Sequence, residues 1–73
     1  MMHVNSLRPN AKKIDLVIAE KEMLQEEVCK KAGISQQTLS AIRRSGRASL
    51  ATIGKIARAL GVSVTDIILE EEP

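Results

Sequence analysis

The spacing of apolar residues constrains this chain more than any other feature of its sequence. Apolar side chains recur at intervals of three and four residues through most of its length, which is the spacing of one buried helix face. Serine precedes several of these stretches, at Ser35, Ser49 and Ser63, and glycine follows two of them, at Gly33 and Gly61. Serine is a preferred N-cap, and glycine accepts the positive φ of many helix C-termini. The sequence therefore predicts a string of short α-helices.

Five helices are predicted, each with a stripe of apolar residues facing a common core. The inward positions are, in chain order, Ile14, Val17 and Ile18; Val28, Cys29 and Ala32; Leu39 and Ile42; Leu50, Ile53, Ala57 and Leu60; and Val64, Ile67 and Ile68. Leu16 falls on the opposite side of the first helix, where it is either exposed or in contact with another surface. Gly54 interrupts the fourth helix, and we interpret it as a site of close helix packing. No strand-like alternation is present, so the expected fold is all-α.

We expect one domain with a short segment on either side of it. Residues 1–9 are expected to be a loose N-terminal segment, residues 10–69 to form the domain, and residues 70–73 to be an acidic tail. A chain of 73 residues buries about 60% of the surface that it exposes when unfolded, so its core must be compact. Because the chain has no Phe, Trp or Tyr, aliphatic side chains and methionines must fill that core.

The composition disfavours several classes of function. Because the chain has no aromatic side chain, the bases of a single-stranded nucleic acid cannot stack on aromatic rings, as they do in the usual modes of single-strand binding. Cys29 and His3 are the only cysteine and histidine, so neither a disulfide within the chain nor a Cys/His metal site can form. We find no nucleophile–base pair and no paired carboxylates, so no catalytic residue, metal or other cofactor is expected. The start of the chain does not resemble a signal peptide, and no apolar run approaches the roughly 20 residues of a membrane span, so a cytoplasmic protein is expected.

The charges are unevenly distributed along the chain. Its net charge is only +2, but no acidic residue lies between Glu27 and Asp66. The basic residues in that interval are Lys30, Lys31, Arg43, Arg44, Arg47, Lys55 and Arg58. A block of one sign is either a plain solvated face or a surface for a partner of opposite charge. The length of this block favours the second interpretation, with a polyanion as the partner.

The second and third predicted helices are joined by a tight turn at Gly33. Two short helices with a glycine in the turn are typical of the helix-turn-helix unit, whose second helix enters the major groove of DNA. Here Gln25 opens the first helix of the unit, and Cys29 is a small residue where the two helices must approach closely. Leu39 and Ile42 face the second helix inward.

Residues 14–69 resemble the Cro and phage-repressor type of helix-turn-helix domain, found in bacterial and phage regulators. The segments that carry the resemblance are "LQEEVCKKAGISQQTLSAI" and "LATIGKIARALGVSVTDII". It implies a compact five-helix, lambda-repressor-like DNA-binding domain. The chain departs from the family pattern in four places: Leu24 replaces the usual small polar residue before Gln25, Ile18 replaces an arginine of the first helix, Arg43 replaces an acidic residue, and Gly46 comes late in the following loop.

The outer arc of the third helix carries the candidate base-reading residues, which are Gln36, Gln37, Ser40, Ala41 and Arg44. A glutamine amide matches N6 and N7 of adenine in the major groove, and an arginine matches O6 and N7 of guanine. Ser40 and Ala41 are small enough to admit the groove wall, and Ala41 is placed to touch a thymine methyl group. Arg44 is a candidate for either a base or a phosphate.

Three further residues are candidates for phosphate contacts. The resemblance assigns Gln25, the first residue of its helix, to a phosphate. Arg43 and Arg47 flank the groove-facing helix and are expected to contact phosphates too. Lys30 and Lys31 are left out of the site, because with Glu26 and Glu27 at the other end of their helix they complement its dipole.

The expected function is sequence-specific binding of double-stranded DNA by a small bacterial or phage transcriptional regulator, with repression favoured over activation. One short helix contacts few base pairs, so we expect a weak homodimer or a dimer formed on the operator. The apolar candidates for its contact are Leu16, Ile67, Ile68 and Leu69. No small-molecule effector is expected. The alternative is a protein-interaction module, such as an antitoxin or a regulatory subunit of a phage or mobile element, in which DNA binding is secondary.

Overall fold

The computed structural model describes residues 6–69, which form four α-helices and a small pair of strands. The helices are α1 (Ala11–Glu20), α2 (Gln25–Ala32), α3 (Gln36–Ser45) and α4 (Leu50–Leu60). The strands are β1 (Ser6–Leu7) and β2 (Ala48–Ser49), and a single 3-10 turn (Val64–Asp66) follows α4. His3, the first residues of the expected loose segment and the expected acidic tail lie outside the described residues.

The helix ends predicted at Gly33, Ser35, Ser49 and Gly61 form as expected. The side chains of Asn10, Ser35 and Ser49 each accept a hydrogen bond from the backbone N–H three residues further on. Gly33 and Gly61 adopt φ values of 73° and 71°, in the left-handed region that a side chain other than hydrogen disfavours. These caps satisfy backbone groups that a helix end leaves without partners.

The predicted fifth helix is wrong, because the chain makes only one 3-10 turn there. Asp66 accepts a hydrogen bond from the Ser63 N–H at 3.1 Å, as the third helical residue does in a capping box. The chain then becomes extended and pairs with the segment before α1: the Asn10 N–H donates to the Ile67 carbonyl, and the Leu69 N–H donates to the Arg8 carbonyl, both at 2.8 Å. Pairing satisfies these backbone groups as a helix would, and the β-branched residues of this stretch favour extended structure.

The all-α expectation also needs correction, because β1 and β2 pair antiparallel. Ser6 lies opposite Ser49, and Leu7 lies opposite Ala48. Strands of two residues are too short to show the alternation by which a sequence reveals a strand. Part of the segment expected to be loose is thus paired with the loop between α3 and α4.

A single aliphatic core lies between the helices, and α2 packs mainly against α4. Its largest fully buried side chains are Ile14, Val28, Leu39, Ile53, Ile56, Leu60 and Ile67. Leu16 is exposed, which is one of the two outcomes expected for it.

Two interpretations of α4 are corrected by its packing. Leu50 was expected to face inward, but it is 45% exposed, and Ile56 is buried instead. Leu50 is the first residue of the helix, where the chain has only just left β2, so the buried stripe begins one turn later at Ile53. Gly54 does not mark close helix packing, because a Cβ atom built on it would meet nothing within 4 Å.

Candidate nucleic-acid interface

The start of α3 is set by three consecutive residues of the turn. Gly33 takes the left-handed conformation that ends α2, and its neighbour Ile34 packs against the buried core. Ser35 then caps α3: its Oγ accepts from the Thr38 N–H at 3.0 Å and lies 2.9 Å from the Thr38 hydroxyl oxygen. An apolar residue just before the N-cap that packs on the core fixes the direction in which a helix starts. The local sequence therefore determines where the first turn of α3 points.

The outer face of α3 is exposed at every candidate position. It consists of Gln36, Gln37, Ser40, Ala41 and Arg44, and the buried residues of the same helix are Leu39 and Ile42. None of the four polar side chains on the outer face has a hydrogen-bond or ion-pair partner elsewhere in residues 6–69. Their donors and acceptors are therefore open to another molecule.

The middle of this face carries short side chains. Ser40 and Ala41 are its small residues, and a shallow open depression lies beside them, lined by Ala41, Arg44 and Ser45. Most of its lining is apolar. The short side chains of Ser40 and Ala41 leave room for a neighbouring surface to approach α3 between the longer side chains of Gln37 and Arg44.

Arg43 does not lie on the outer face. Its Nη2 donates to the Asp15 Oδ1 of α1 in an ion pair, and its side chain is only 31% exposed. The Nε atom is buried and has no hydrogen-bond partner within residues 6–69. The structure thus places Arg43, expected on a phosphate, against another helix of the same chain.

The charge of Arg43 also reaches the core. Burial raises the pKa of the Cys29 thiol above its ordinary value of 9.0, and the nearby Arg43 guanidinium opposes that rise. Cys29 is 3% exposed, so the sequence-based interpretation of it as a small packing residue is confirmed.

The start of α2 is built differently from the start of α3. Leu24 occupies its N-cap position without a side-chain hydrogen bond, as expected, and is 64% exposed. Glu27 reaches back to accept from the Leu24 N–H at 2.8 Å. Gln25, the candidate phosphate contact, is half-buried and is the first residue of the same helix. A phosphate at this helix start would therefore lie near the negative charge of Glu27.

Arg47 lies in the loop that leads from α3 to β2, and it is exposed. Its Nη1 lies 3.4 Å from the Ser6 Oγ of β1, and its N–H donates to the Ser45 Oγ at 3.2 Å. The Ser45 hydroxyl also donates to the Arg47 carbonyl at 3.1 Å. This arrangement fixes the backbone of Arg47 at the end of α3, close to the depression beside Ala41.

The lysines left out of the site lie where the dipole argument puts them. Lys30 and Lys31 occupy the last turn of α2, and Glu26 and Glu27 occupy its first turn. All four side chains are exposed. Their positions complement the positive and negative ends of the helix dipole.

Sequence reasoning missed Asp15, which determines where Arg43 points. The two residues are 28 positions apart, and nothing local connects them. One signal was present. In the family that residues 14–69 resemble, the first helix carries an arginine and the position of Arg43 carries an acidic residue. Because the residue at that second position is basic here, an acidic partner for it should be sought on α1. Asp15 lies one turn before Ile18, on a neighbouring part of the same helix surface.

Residues 6–69 contain no cluster of His, Cys, Asp and Glu side chains that could hold a metal ion. No helix among them has the length and apolar character required to cross a bilayer.

A family model described as "Helix-turn-helix" matches residues 16–67, which is most of the chain and includes α2, the turn and α3. No curated protein and no solved structure matches the chain.

Proposed function

The chain belongs to the Cro and phage-repressor family of helix-turn-helix proteins, and on that premise we propose that it binds specific sequences of double-stranded DNA as a repressor of transcription. DNA binding and regulation of transcription are the general activities of this family. We propose in addition that binding is specific for sequence, that it represses transcription, and that the residues described below read the DNA.

The observation that carries the proposal is the outer face of α3. It presents four exposed polar side chains without intramolecular partners in the described part of the chain, with the small Ser40 and Ala41 between the longer ones. A major groove about 12 Å wide admits a helix, and its base edges offer donors and acceptors that such side chains match. The adjacent sequence carries no acid that would repel the phosphates.

Each residue of this face has a proposed role. Gln36 and Gln37, in the first turn of α3, read base edges through their amides, with adenine as the preferred partner. Ala41 meets a thymine methyl group at the apolar depression, and Ser40 allows the groove wall to approach. Arg44, at the far end of the face, bonds to guanine or to a phosphate.

Two of the residues expected on phosphates keep that role in the proposal. Arg47 extends from the loop after α3, and its backbone is held by Ser45. Gln25 stands at the start of α2, where free backbone N–H groups favour an anion. The carboxylate of Glu27 at the same helix start opposes this, so the Gln25 contact is expected to be the weaker of the two.

We further propose that the protein acts as a symmetric homodimer, at least on its operator. One α3 reads only a few base pairs, and two copies related by a twofold axis read half-sites about 34–36 Å apart. Among the four apolar candidates for the contact, Ile67 is fully buried and Ile68 packs against the core. Leu16 and Leu69 are 52% and 40% exposed, so the dimer contact is assigned to these two.

The test of this function begins with selection of bound sequences from a random duplex pool. We expect a motif with twofold symmetry, two proteins per duplex, and binding that weakens steeply with salt as counterions are released. Arg47→Ala should weaken binding to all sequences and reduce the salt slope by about 1, whereas Lys31→Ala, in the last turn of α2 and outside the proposed site, should leave the slope unchanged. Absence of binding to any duplex at low salt would refute the proposal.

Four exposed leucines, which are Leu16, Leu24, Leu50 and Leu69, favour a second candidate function. Large apolar side chains at the surface are typical of protein contacts when they are grouped. A module of this kind would bind a protein partner through these residues, and its affinity would depend little on salt. One protein per duplex, on a motif without symmetry, would favour this alternative over the homodimer.

A further inference from the structure

We propose that Arg43 is a positioning residue rather than a phosphate contact: its ion pair with Asp15 fixes the orientation of α3 on α1, and with it the direction of the reading face. The inference rests on the proposed function, because it assumes that α3 reads DNA. It changes the role of a residue that the sequence assigns to the phosphate backbone.

The direction of the side chain is the first argument. At 3.6 residues per turn, Arg43 lies about 120° around α3 from Gln37, and Arg44 lies close to Gln37. Arg43 therefore leaves the helix on the flank that faces α1, where it meets Asp15. A groove that receives Gln37 and Arg44 does not receive Arg43 in the same pose.

The surroundings of the guanidinium are the second argument. Its Nε is buried without a partner in residues 6–69, and its positive charge lowers the pKa of the buried Cys29 thiol against the effect of burial. Asp15 provides the negative charge that compensates for this partial burial. Moving Arg43 to a phosphate would break the pair and leave Asp15, a carboxylate, next to the DNA-facing helix.

The absence of another directional contact is the third argument. Within residues 6–69, the Arg43–Asp15 contact is the only side-chain hydrogen bond that joins two α-helices. The backbones of α1 and α3 make few close approaches, and the buried residues of both helices belong to one apolar core. Apolar contact is non-directional, whereas a charge-assisted hydrogen bond has a defined geometry. The ion pair therefore adds a directional restraint on the rotation of α3 to those of the turn before it and of its buried residues.

The experiment uses the full chain and five variants: Arg43→Ala, Asp15→Ala, the double alanine variant, the charge swap Asp15→Arg with Arg43→Asp, and Arg47→Ala as the phosphate-contact control. Unfolding by urea identifies conditions in which every variant is folded. Binding to the selected duplex and to a random duplex is then measured over a series of salt concentrations. The swap keeps the combined length of the two side chains but moves the cation from α3 to α1.

We expect Arg43→Ala and Asp15→Ala each to lower the ratio of specific to random binding by up to about fivefold, the range of a partly exposed ion pair. The double variant should be no worse than either single variant, the salt slope should stay unchanged, and the swap should recover the ratio. A role in folding alone would change the unfolding curve but would not change this ratio in fully folded protein.

Three results would overturn the inference. The first is that Arg43→Ala reduces the salt slope by about 1, as is expected for Arg47→Ala. The second is that Asp15→Ala raises the affinity for all duplexes. The third is that the charge swap fails to recover the ratio of specific to random binding. If the wild-type chain bound no duplex, the proposed function would fail. The unfolding free energies would still decide whether the pair couples α1 to α3, since additive effects of the two alanine substitutions would also refute the inference.

Discussion

The two faces of α3 have opposite relations to the rest of the molecule. The inner face consists of Leu39 and Ile42, which are 0% and 5% exposed, with Arg43 paired to α1 beside them. On the outer face, Gln37 and Arg44 are exposed and, within residues 6–69, have no partner. One helix of ten residues thus holds the fold together on one side and leaves its hydrogen-bonding groups open on the other.

This difference separates stability from binding at the level of single residues. Substitutions on the inner face remove buried apolar contacts, so they act on the free energy of unfolding. Substitutions on the outer face remove groups that only another molecule can contact, so they act on affinity. The predictions below test whether the separation is as sharp as the structure indicates.

The largest effect is expected from Leu39→Ala. Loss of a fully buried leucine leaves a cavity and should reduce the free energy of unfolding by about 2–5 kcal/mol, enough to unfold much of a small domain. Urea denaturation followed by circular dichroism measures it. Ile42→Val, with an expected cost of about 0.5–1.5 kcal/mol, gives a graded comparison that stays folded. Ser40→Ala is the matched control on the outer face and should leave the unfolding curve unchanged.

Gln37→Ala tests the outer face. We expect it to cost about 1–3 kcal/mol of binding at one or two base pairs and to change binding to random DNA little, because one amide that reads base edges is lost. The unfolding curve should match that of the wild type. Repeating the duplex selection with the variant is the measurement, and Lys30→Ala serves as the control. An unaltered motif would remove Gln37 from the reading residues.

The cap of α3 belongs to both faces, because it sets where the helix begins. Ser35→Ala should reduce the free energy of unfolding by about 1 kcal/mol, since the Thr38 N–H loses its acceptor. Leu24→Ser at the start of α2 should do the reverse and stabilise by about the same amount, because the N-cap there has no side-chain acceptor. Thermal unfolding of both variants measures the two changes in stability. If both variants were stabilised, or both destabilised, the prediction would be contradicted.

The smallest effect concerns the thiol behind α3. Burial raises the pKa of Cys29 above 9.0, so the unfolded chain loses this proton at a lower pH than the folded protein does. The stabilisation that the protonated thiol contributes to the free energy of unfolding is therefore fully present below pH 9.0 and is lost as the pH rises further. The difference in unfolding free energy between wild type and Cys29→Ala should narrow from pH 7 to pH 10, because other titrating groups cancel in the comparison. A difference independent of pH would contradict the prediction.

The helices and the division of α3 into two faces were predictable from the sequence, because both depend on local features. Ser35 and Gly33 fix the ends of α3 and α2, and the spacing of Leu39 and Ile42 fixes the inner face. The family was predictable for the same reason, and the match over residues 16–67 confirms it. The assignment of individual side chains to bases and phosphates stays a prediction.

The features that sequence reasoning missed depend on contacts between distant parts of the chain. Arg43 meets Asp15 only because α1 and α3 fold against each other. Ile67 and Ile68 continue a helical spacing, yet the chain is extended there because a backbone segment from before α1 is available to pair with it. Apolar periodicity describes which side of a segment is buried, and it contains no information about which distant segment lies opposite.

That last pairing has a consequence for the order of folding. The hydrogen bonds from Asn10 to Ile67 and from Leu69 to Arg8 close a loop that contains nearly the whole domain, whereas each helix forms from neighbours along the chain. Closing so long a loop has an entropic cost that is recovered only when the residues between its ends are already compact. We therefore expect the helices to assemble first and the two ends of the domain to join last, so that this closure is also the first part of the domain to open.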